Sequence, residues 1–127
     1  MEEQEKALIS KQFIEVMLKV PVILCPARME AVETGIKEYF PDFIRNGFPF
    51  FITRSMVESL QPGTLYHIAD FINLHYNLFL YDGNNQVFIA GPYLAHPADT
   101  AFCEQILQDN GKNLSLLVPF SQFCLTL

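Results

Sequence analysis

The stretch LHYNLFLYDGNNQVFIAGPYL, residues 74 to 94, decides the fold of this chain. Two apolar runs flank the polar DGNNQ, which is the pattern of a β-hairpin. A two-residue turn at Asn84 and Asn85 is predicted, because asparagine tolerates the positive φ that such turns need. In that register Leu80 lies opposite Ile89.

The predicted hairpin has two unlike faces, because successive side chains of a strand point to opposite sides of the sheet. One face is apolar and is expected to be core; it carries Leu74, Tyr76, Leu78, Leu80 and Ile89. Gly91 would lie opposite Leu78 there and make room for packing, and Pro92 would end the strand. The other face, the mixed face, carries His75, Asn77, Phe79, Tyr81, Phe88 and Ala90. Polar groups among aromatic rings are typical of small-ligand pockets, and also of a half-solvated sheet face.

Three helices are predicted before the hairpin. Residues 2 to 19 have apolar side chains at helical spacing, and residues 26 to 39 form a second helix that begins at a proline. Ser55 and Glu58 have the spacing of a capping box, which predicts a short helix over residues 56 to 60. The second helix is expected to bury Met29, Val32, Ile36, Tyr39 and Phe40. The first helix offers a candidate partner surface at Ile9, Phe13 and Val16.

Two more strands and a last helix complete the pattern. VILC at residues 22 to 25 and LYHIADF at residues 65 to 71 are predicted strands, and Pro97 opens a helix that Asn110 and Gly111 close. Helices at both ends of a few contiguous strands predict an α+β fold. The expected architecture is an antiparallel sheet flanked by helices, in the size range of PAS-like and GAF-like sensor domains. At 127 residues the chain fits a single domain.

Charge and composition argue against several classes of function. The formal net charge is −6 and the eight basic residues are scattered singly, so the chain is expected to bind nucleic acid poorly. The N-terminal MEEQE is acidic where a signal peptide would be basic, and no apolar run approaches the ~20 residues of a membrane span. We therefore expect a cytoplasmic protein without a membrane partner. Half of the residues are apolar, so part of the surface is expected to meet a protein partner.

A thiol hydrolase is the enzymatic alternative. It would take its nucleophile from Cys25, Cys103 and Cys124, its base from His67, His75 and His96, and its orienting acid from Asp70 and Asp99. No local signature surrounds any of these cysteines, and buried cysteine is common in protein cores. We therefore expect three reduced core thiols.

A metal site formed by His67, Asp70 and His75 is not expected. Within one strand His67 and Asp70 are an odd number of positions apart, so their side chains point to opposite faces. Neither a metal nor another cofactor is expected.

The segment LYHIADFINLHYNLFLYDGNNQVFIAGPYL resembles the N-terminal regions of Firmicute transcription regulators of the AraC type. Those regions have a strand of the form I/L-Y-x-I-x-D, matched here by Leu65, Tyr66, Ile68 and Asp70. A strand pair then ends in I/L-x-G-P-F/Y/I, matched by residues 89 to 93. The resemblance covers roughly residues 65 to 127.

The resemblance implies a non-enzymatic regulatory domain that senses a small-molecule effector, dimerises, or does both. DNA would be contacted only through a helix-turn-helix domain following Leu127, and the apolar tail LSLLVPFSQFCLTL is likewise expected of a chain cut from a longer protein. The expected partners are a second copy of the chain and a small-molecule effector. The candidate ligand contacts are Tyr66, His75 and Asn77.

Overall fold

Four strands form one antiparallel sheet in a computed structural model that describes residues 11, 12, 15, 19–81, 85–95 and 97–127. The strands are β1 Val22–Pro26, β2 Leu65–Ala69, β3 His75–Tyr81 and β4 Gln86–Tyr93. Their order across the sheet is β1-β4-β3-β2, so β1 and β2 are the two edges. The predicted α+β class with an antiparallel sheet is confirmed. β2 ends at Ala69, before the predicted Phe71.

Five α-helices accompany this sheet in the described part of the chain. They are α1 Met29–Lys37, α2 Asp42–Gly47, α3 Arg54–Glu58, α4 Thr100–Asp109 and α5 Leu117–Cys124, the last preceded by a 3-10 turn over Leu114–Leu116. Of the predicted N-terminal helix, Lys11, Gln12 and Glu15 are helical, and Lys11 forms an ion pair of 2.7 Å with Glu15. The rest of that prediction, including its partner surface at Ile9, Phe13 and Val16, lies outside the described residues.

The helix boundaries differ from the predicted ones because other side chains cap them. α1 and α4 each begin three residues after the proline that was predicted to open them. The carboxylate of Asp99 accepts the backbone N–H of Phe102 at 2.8 Å, which starts α4 after Pro97. The cap of α3 is Thr53 and not Ser55, since the Thr53 hydroxyl accepts the N–H of Met56 at 3.3 Å. α2 follows Pro41 and was not predicted.

The pairing of β3 with β4 corrects the predicted turn. Leu80 pairs with Val87 and Tyr81 with Gln86, so four residues, 82 to 85, connect the strands. The two-residue turn and the pairing of Leu80 with Ile89 were therefore wrong. Since the register is displaced by two positions, every side chain keeps its predicted face.

The apolar face of the sheet is the main core. Tyr76, Leu78, Val87 and Ile89 are fully buried on it. They join residues from the covering helices in one cluster that includes Val32, Ile36, Cys103, Leu107, Phe120 and Phe123. Burying each large apolar side chain contributes about 1.5–3 kcal/mol. Tyr39, predicted to be buried, is 40% exposed because α1 ends before it.

The mixed face carries a separate, smaller apolar cluster. Val22, Phe88 and Ala90 are buried there, and Leu24 and Tyr81 pack against them. The helices that contribute to the main core all lie on the other side of the sheet. No described helix is long and apolar enough to cross a membrane.

Candidate functional site

Three aromatic rings stack along one end of the mixed face. His67 of β2 and His75 of β3 have ring centroids 5.0 Å apart, and Nε2 of His67 lies 2.9 Å from Nδ1 of His75. The ring of Tyr93 in β4 stacks on His75 at 5.6 Å. This His-Tyr stack, His67, His75 and Tyr93, spans three adjacent strands.

An asparagine completes the polar cluster. Asn77 lies two residues after His75 on the same face, and its Nδ2 donates a hydrogen bond of 2.7 Å to the hydroxyl oxygen of Tyr93. Both side chains are half-buried. Together with Val20 and Ala90 they line a cavity of about 170 Å³. An engineered apolar cavity of about 150 Å³ binds benzene, so this space suits a molecule with a single ring.

Tyr93 reaches this face because of an irregularity in the sheet. Asn77 pairs with Ala90, but His75 pairs with Tyr93, so β4 contains one extra residue between these positions. Simple alternation would have placed Pro92 opposite His75. The extra residue instead turns Tyr93 toward the histidines.

Gly91 makes the irregularity possible. It has a φ of +144°, and a Cβ at this position would lie 2.5 Å from the backbone oxygen of His75. Its role is therefore a close backbone approach, although the predicted position opposite Leu78 was wrong, because Leu78 pairs with Ile89. Pro92 does not end the strand, which continues to Tyr93.

Of the three predicted ligand contacts, the structure brings two together. His75 and Asn77 belong to the cluster described above, whereas Tyr66 pairs with Leu78 and lies on the core face. The hydroxyl of Tyr66 donates to the backbone oxygen of Ser59 at 3.3 Å. Tyr66 is thus separated from the cavity by the sheet.

Two members of the cluster, His67 and Tyr93, were not among the predicted ligand contacts, and of these two only Tyr93 lines the cavity. A signal existed for His67, because it pairs with Asn77 and strand alternation alone places it on the mixed face once β2 is set beside β3. No signal in the sequence places Tyr93, because its orientation depends on the irregularity near Gly91.

Asp70 has a structural role in the turn between β2 and β3. Its Oδ1 accepts the backbone N–H groups of Ile72 and Leu74 at 3.0 and 2.9 Å, and its Oδ2 accepts the Tyr76 hydroxyl at 3.0 Å. Burial raises the pKa of Asp70 to about 6, against the opposing effect of these three hydrogen bonds. The carboxylate faces this turn and not His67, but strand alternation is not the reason, because β2 ends at Ala69. The described residues contain no group of three side chains suited to hold a metal ion.

The thiols and the two described histidines lie on opposite sides of the sheet. Cys25 pairs with Val87 and packs against the main core, to which Cys103 and Cys124 also belong. All three are free thiols. Burial raises the pKa of Cys25 to about 11, and burial together with the neighbouring Cys103 raises the pKa of Cys124 to about 12. Thiols in this state are poor nucleophiles. The third candidate base, His96, lies outside the described residues.

Other hollows in the structure are less suited to a ligand. A hollow beside Asp70, lined largely by phenylalanines, has a volume of only about 20 Å³, which is room for one water molecule. Two larger hollows, beside α1 and beside residues 124 to 127, are open grooves. The hollow at Asn77 and Tyr93 is also partly open to solvent, but it is the one of these in which the side-chain amide of Asn77 and the hydroxyl of Tyr93 converge.

Comparison with known proteins identifies no relative: no protein-family model, no curated protein and no solved structure matches this chain.

Proposed function

We propose that this chain is a non-enzymatic sensor and dimerisation domain of a cytoplasmic transcription regulator of the AraC type. Its effector is a small molecule that binds in the cavity on the mixed face. The ligand half of this proposal is based on the Asn77–Tyr93 pair. Both side chains line the cavity, and Tyr93 also stacks on His75.

The Asn77–Tyr93 pair is polar, although its surroundings are largely apolar. Asn77 and Tyr93 lie next to the buried Ala90 and close to the apolar cluster of the mixed face. A half-buried polar atom without a partner costs part of the roughly 1–3 kcal/mol that a fully buried one costs. Apolar residues at the same positions would remove that cost. A ligand that pairs with the donor and acceptor left free by the Asn77–Tyr93 hydrogen bond would remove that cost.

The dimerisation half rests on the exposed edge of the sheet. β2 is an edge strand whose five residues carry no charge, although edge strands are usually protected by charged side chains. Leu65 is 66% exposed and pairs with Phe79, which is 37% exposed. A second copy of β2, antiparallel to the first, would pair with this edge and cover Leu65. Leu65→Lys should therefore shift the chain from dimer to monomer in light scattering at micromolar concentration. A monomeric parent chain would refute this half of the proposal.

The regulator assignment rests on the resemblance of residues 65 to 127 and on charge. A net charge of −6 opposes contact with phosphates, so DNA binding has to come from another domain. Residues 1 to 127 should show no salt-dependent retardation of duplex DNA. Tight binding of DNA by residues 1 to 127 alone would contradict the assignment of DNA binding to a separate domain.

The ligand half is tested by a thermal-shift screen of small metabolites. A true effector should raise the melting temperature of the parent chain and have a smaller effect on the Asn77→Ala and Tyr93→Phe variants, whose side chains line the cavity. Phe79→Ala is the matched control, because Phe79 lies on the same strand and face but outside the described lining of the cavity. A compound that stabilises all four proteins equally would place its site elsewhere.

A further inference from the structure

The hydrogen bond between Asn77 and Tyr93 leaves two polar groups available at the cavity. Asn77 uses one hydrogen of its Nδ2, and Tyr93 uses a lone pair of its hydroxyl oxygen. The hydroxyl hydrogen of Tyr93 can still be donated, and the Oδ1 of Asn77 can still accept. Neither group has another hydrogen bond within the described chain. The pair therefore presents one donor and one acceptor side by side.

This inventory does not depend on the orientation of the side-chain amide. In the opposite orientation Tyr93 would donate to Oδ1 of Asn77. The amide hydrogens would then be the free donors, and a lone pair of the Tyr93 oxygen would be the free acceptor. In both cases a ligand meets a donor next to an acceptor.

The remaining described lining is apolar and uncharged. Val20 and Ala90 form it, and no charged side chain of the described residues contributes. A charged ligand would lose its hydration on entry without gaining an opposite charge from these residues, which is costly. The volume of about 170 Å³ accommodates one ring with a small substituent.

We propose that the cavity binds a small, neutral, planar molecule that carries a hydrogen-bond acceptor and a donor on the same carbon, as the C=O and N–H of a carboxamide or a lactam are. The ligand carbonyl accepts the Tyr93 hydroxyl hydrogen, and the ligand N–H donates to Oδ1 of Asn77. This inference rests on the proposed function and specifies its ligand class.

Three related single-ring probes test the ligand class by NMR titration of the ¹⁵N-labelled chain at pH 7.5. Benzamide has the donor and the acceptor, methyl benzoate has the acceptor alone, and benzoate is charged. Benzamide should bind most tightly and shift the signals of Asn77 and Tyr93. Methyl benzoate should bind about 2- to 10-fold more weakly, which corresponds to the loss of one neutral hydrogen bond. Benzoate should bind most weakly.

Two variants tie this binding to the polar pair. Tyr93→Phe should weaken benzamide binding about 2- to 10-fold, whereas Tyr81→Phe should leave it unchanged, because the same hydroxyl is removed on the same face outside the described lining. Ala90→Val should also weaken it by filling space, with both polar groups intact. If Tyr93→Phe does not fold, the Ala90→Val variant still tests the site of binding, and the ranking of the three probes still tests the ligand class.

The outcomes separate this inference from the proposed function. Equal or tighter binding of methyl benzoate or benzoate at Asn77 and Tyr93 would overturn the ligand class but leave the cavity as a ligand site. Binding of benzamide that is the same in Tyr93→Phe as in the parent chain would also overturn the class. If no probe shifts Asn77 or Tyr93, the ligand class is overturned, and the metabolite screen alone decides the ligand half of the proposed function.

Discussion

Replacing Gly91 with alanine tests how the sheet irregularity builds the site. Gly91 has a φ of +144°, and an added Cβ would lie 2.5 Å from the His75 backbone oxygen, 3.1 Å from Cδ1 of Tyr76 and 3.2 Å from its Cα. Because the nearest atom belongs to the backbone, no side-chain rotation relieves the contact. β4 must move away from β3, or the irregularity must be lost.

The size of the effect follows from two contributions. Forcing alanine into a backbone conformation that only glycine adopts readily costs on the order of 1–3 kcal/mol. Relieving an overpacked contact in a well-packed region costs about 1–3 kcal/mol more. Gly91→Ala should therefore lower the free energy of unfolding by roughly 2–6 kcal/mol, a large part of the ~5–15 kcal/mol typical of a domain.

Two other glycines serve as matched controls. Gly111 also has a positive φ, +65°, but an added Cβ there would meet nothing within 4 Å. Gly111→Ala should therefore show only the conformational cost, about 1–2 kcal/mol. At Gly47 the added Cβ also meets nothing, and the backbone is not in the left-handed region. Gly47→Ala should be neutral or stabilise by about 0.4–1 kcal/mol.

The assay is urea unfolding followed by far-ultraviolet circular dichroism, because the chain has no tryptophan for fluorescence. The expected order of destabilisation is Gly91→Ala, then Gly111→Ala, then Gly47→Ala. If Gly91→Ala destabilises the chain no more than Gly111→Ala does, the close approach of β4 to His75 is not the reason why residue 91 has to be glycine. The orientation of Tyr93 would then need another explanation.

Three further predictions concern the core, the turn and the thiols. Leu78→Ala should lower the free energy of unfolding in urea by about 2–5 kcal/mol, because Leu78 is buried. Phe79→Ala, at the next position, should lower it by less than about 1 kcal/mol. Similar losses in the two variants would contradict the assignment of the two faces. Because burial raises the Asp70 pKa from an unfolded value near 3.8 to about 6, this carboxyl stabilises the folded chain below about pH 4, and that stability is lost as the pH rises through about 6. The loss is about 3 kcal/mol at most. The difference between the urea midpoint of the parent chain and that of Asp70→Asn should therefore decrease from pH 4 to pH 7. An increase over this range would show that the hydrogen bonds to the carboxylate outweigh its burial. Since their pKa values are raised to about 11 and about 12, Cys25 and Cys124 should react with iodoacetamide at pH 8 far more slowly in the folded chain than in urea, and equal rates would mean that these thiols are exposed.

Alternation along the strands made much of the fold predictable from the sequence. Leu78 and Phe79 were assigned to opposite faces correctly, and the error in the hairpin turn did not matter, because a shift of two positions preserves the face of every residue. The turn itself was not predictable in this way. The pattern of apolar residues is compatible with two-residue and four-residue connections, and asparagine accepts the positive φ found at Asn85 in either.

The candidate site was predictable only in part, because strand alternation fails where β4 has its extra residue. His75 and Asn77 precede that point and were assigned to the mixed face. Tyr93 follows it and was not. The motif residues Asp70 and Gly91 have structural roles, Asp70 in a turn and Gly91 in a close backbone approach. These two residues of the resemblance therefore shape the sheet and do not contact the proposed ligand.

A crystal structure of the chain with the compound that raises its melting temperature most would test the central claim directly. We predict ligand density in the cavity on the mixed face, within hydrogen-bonding distance of the Asn77 side-chain amide and the Tyr93 hydroxyl. Density in either open groove, with the Asn77–Tyr93 cavity unchanged, would contradict the account, as would a metabolite screen in which no compound raises the melting temperature.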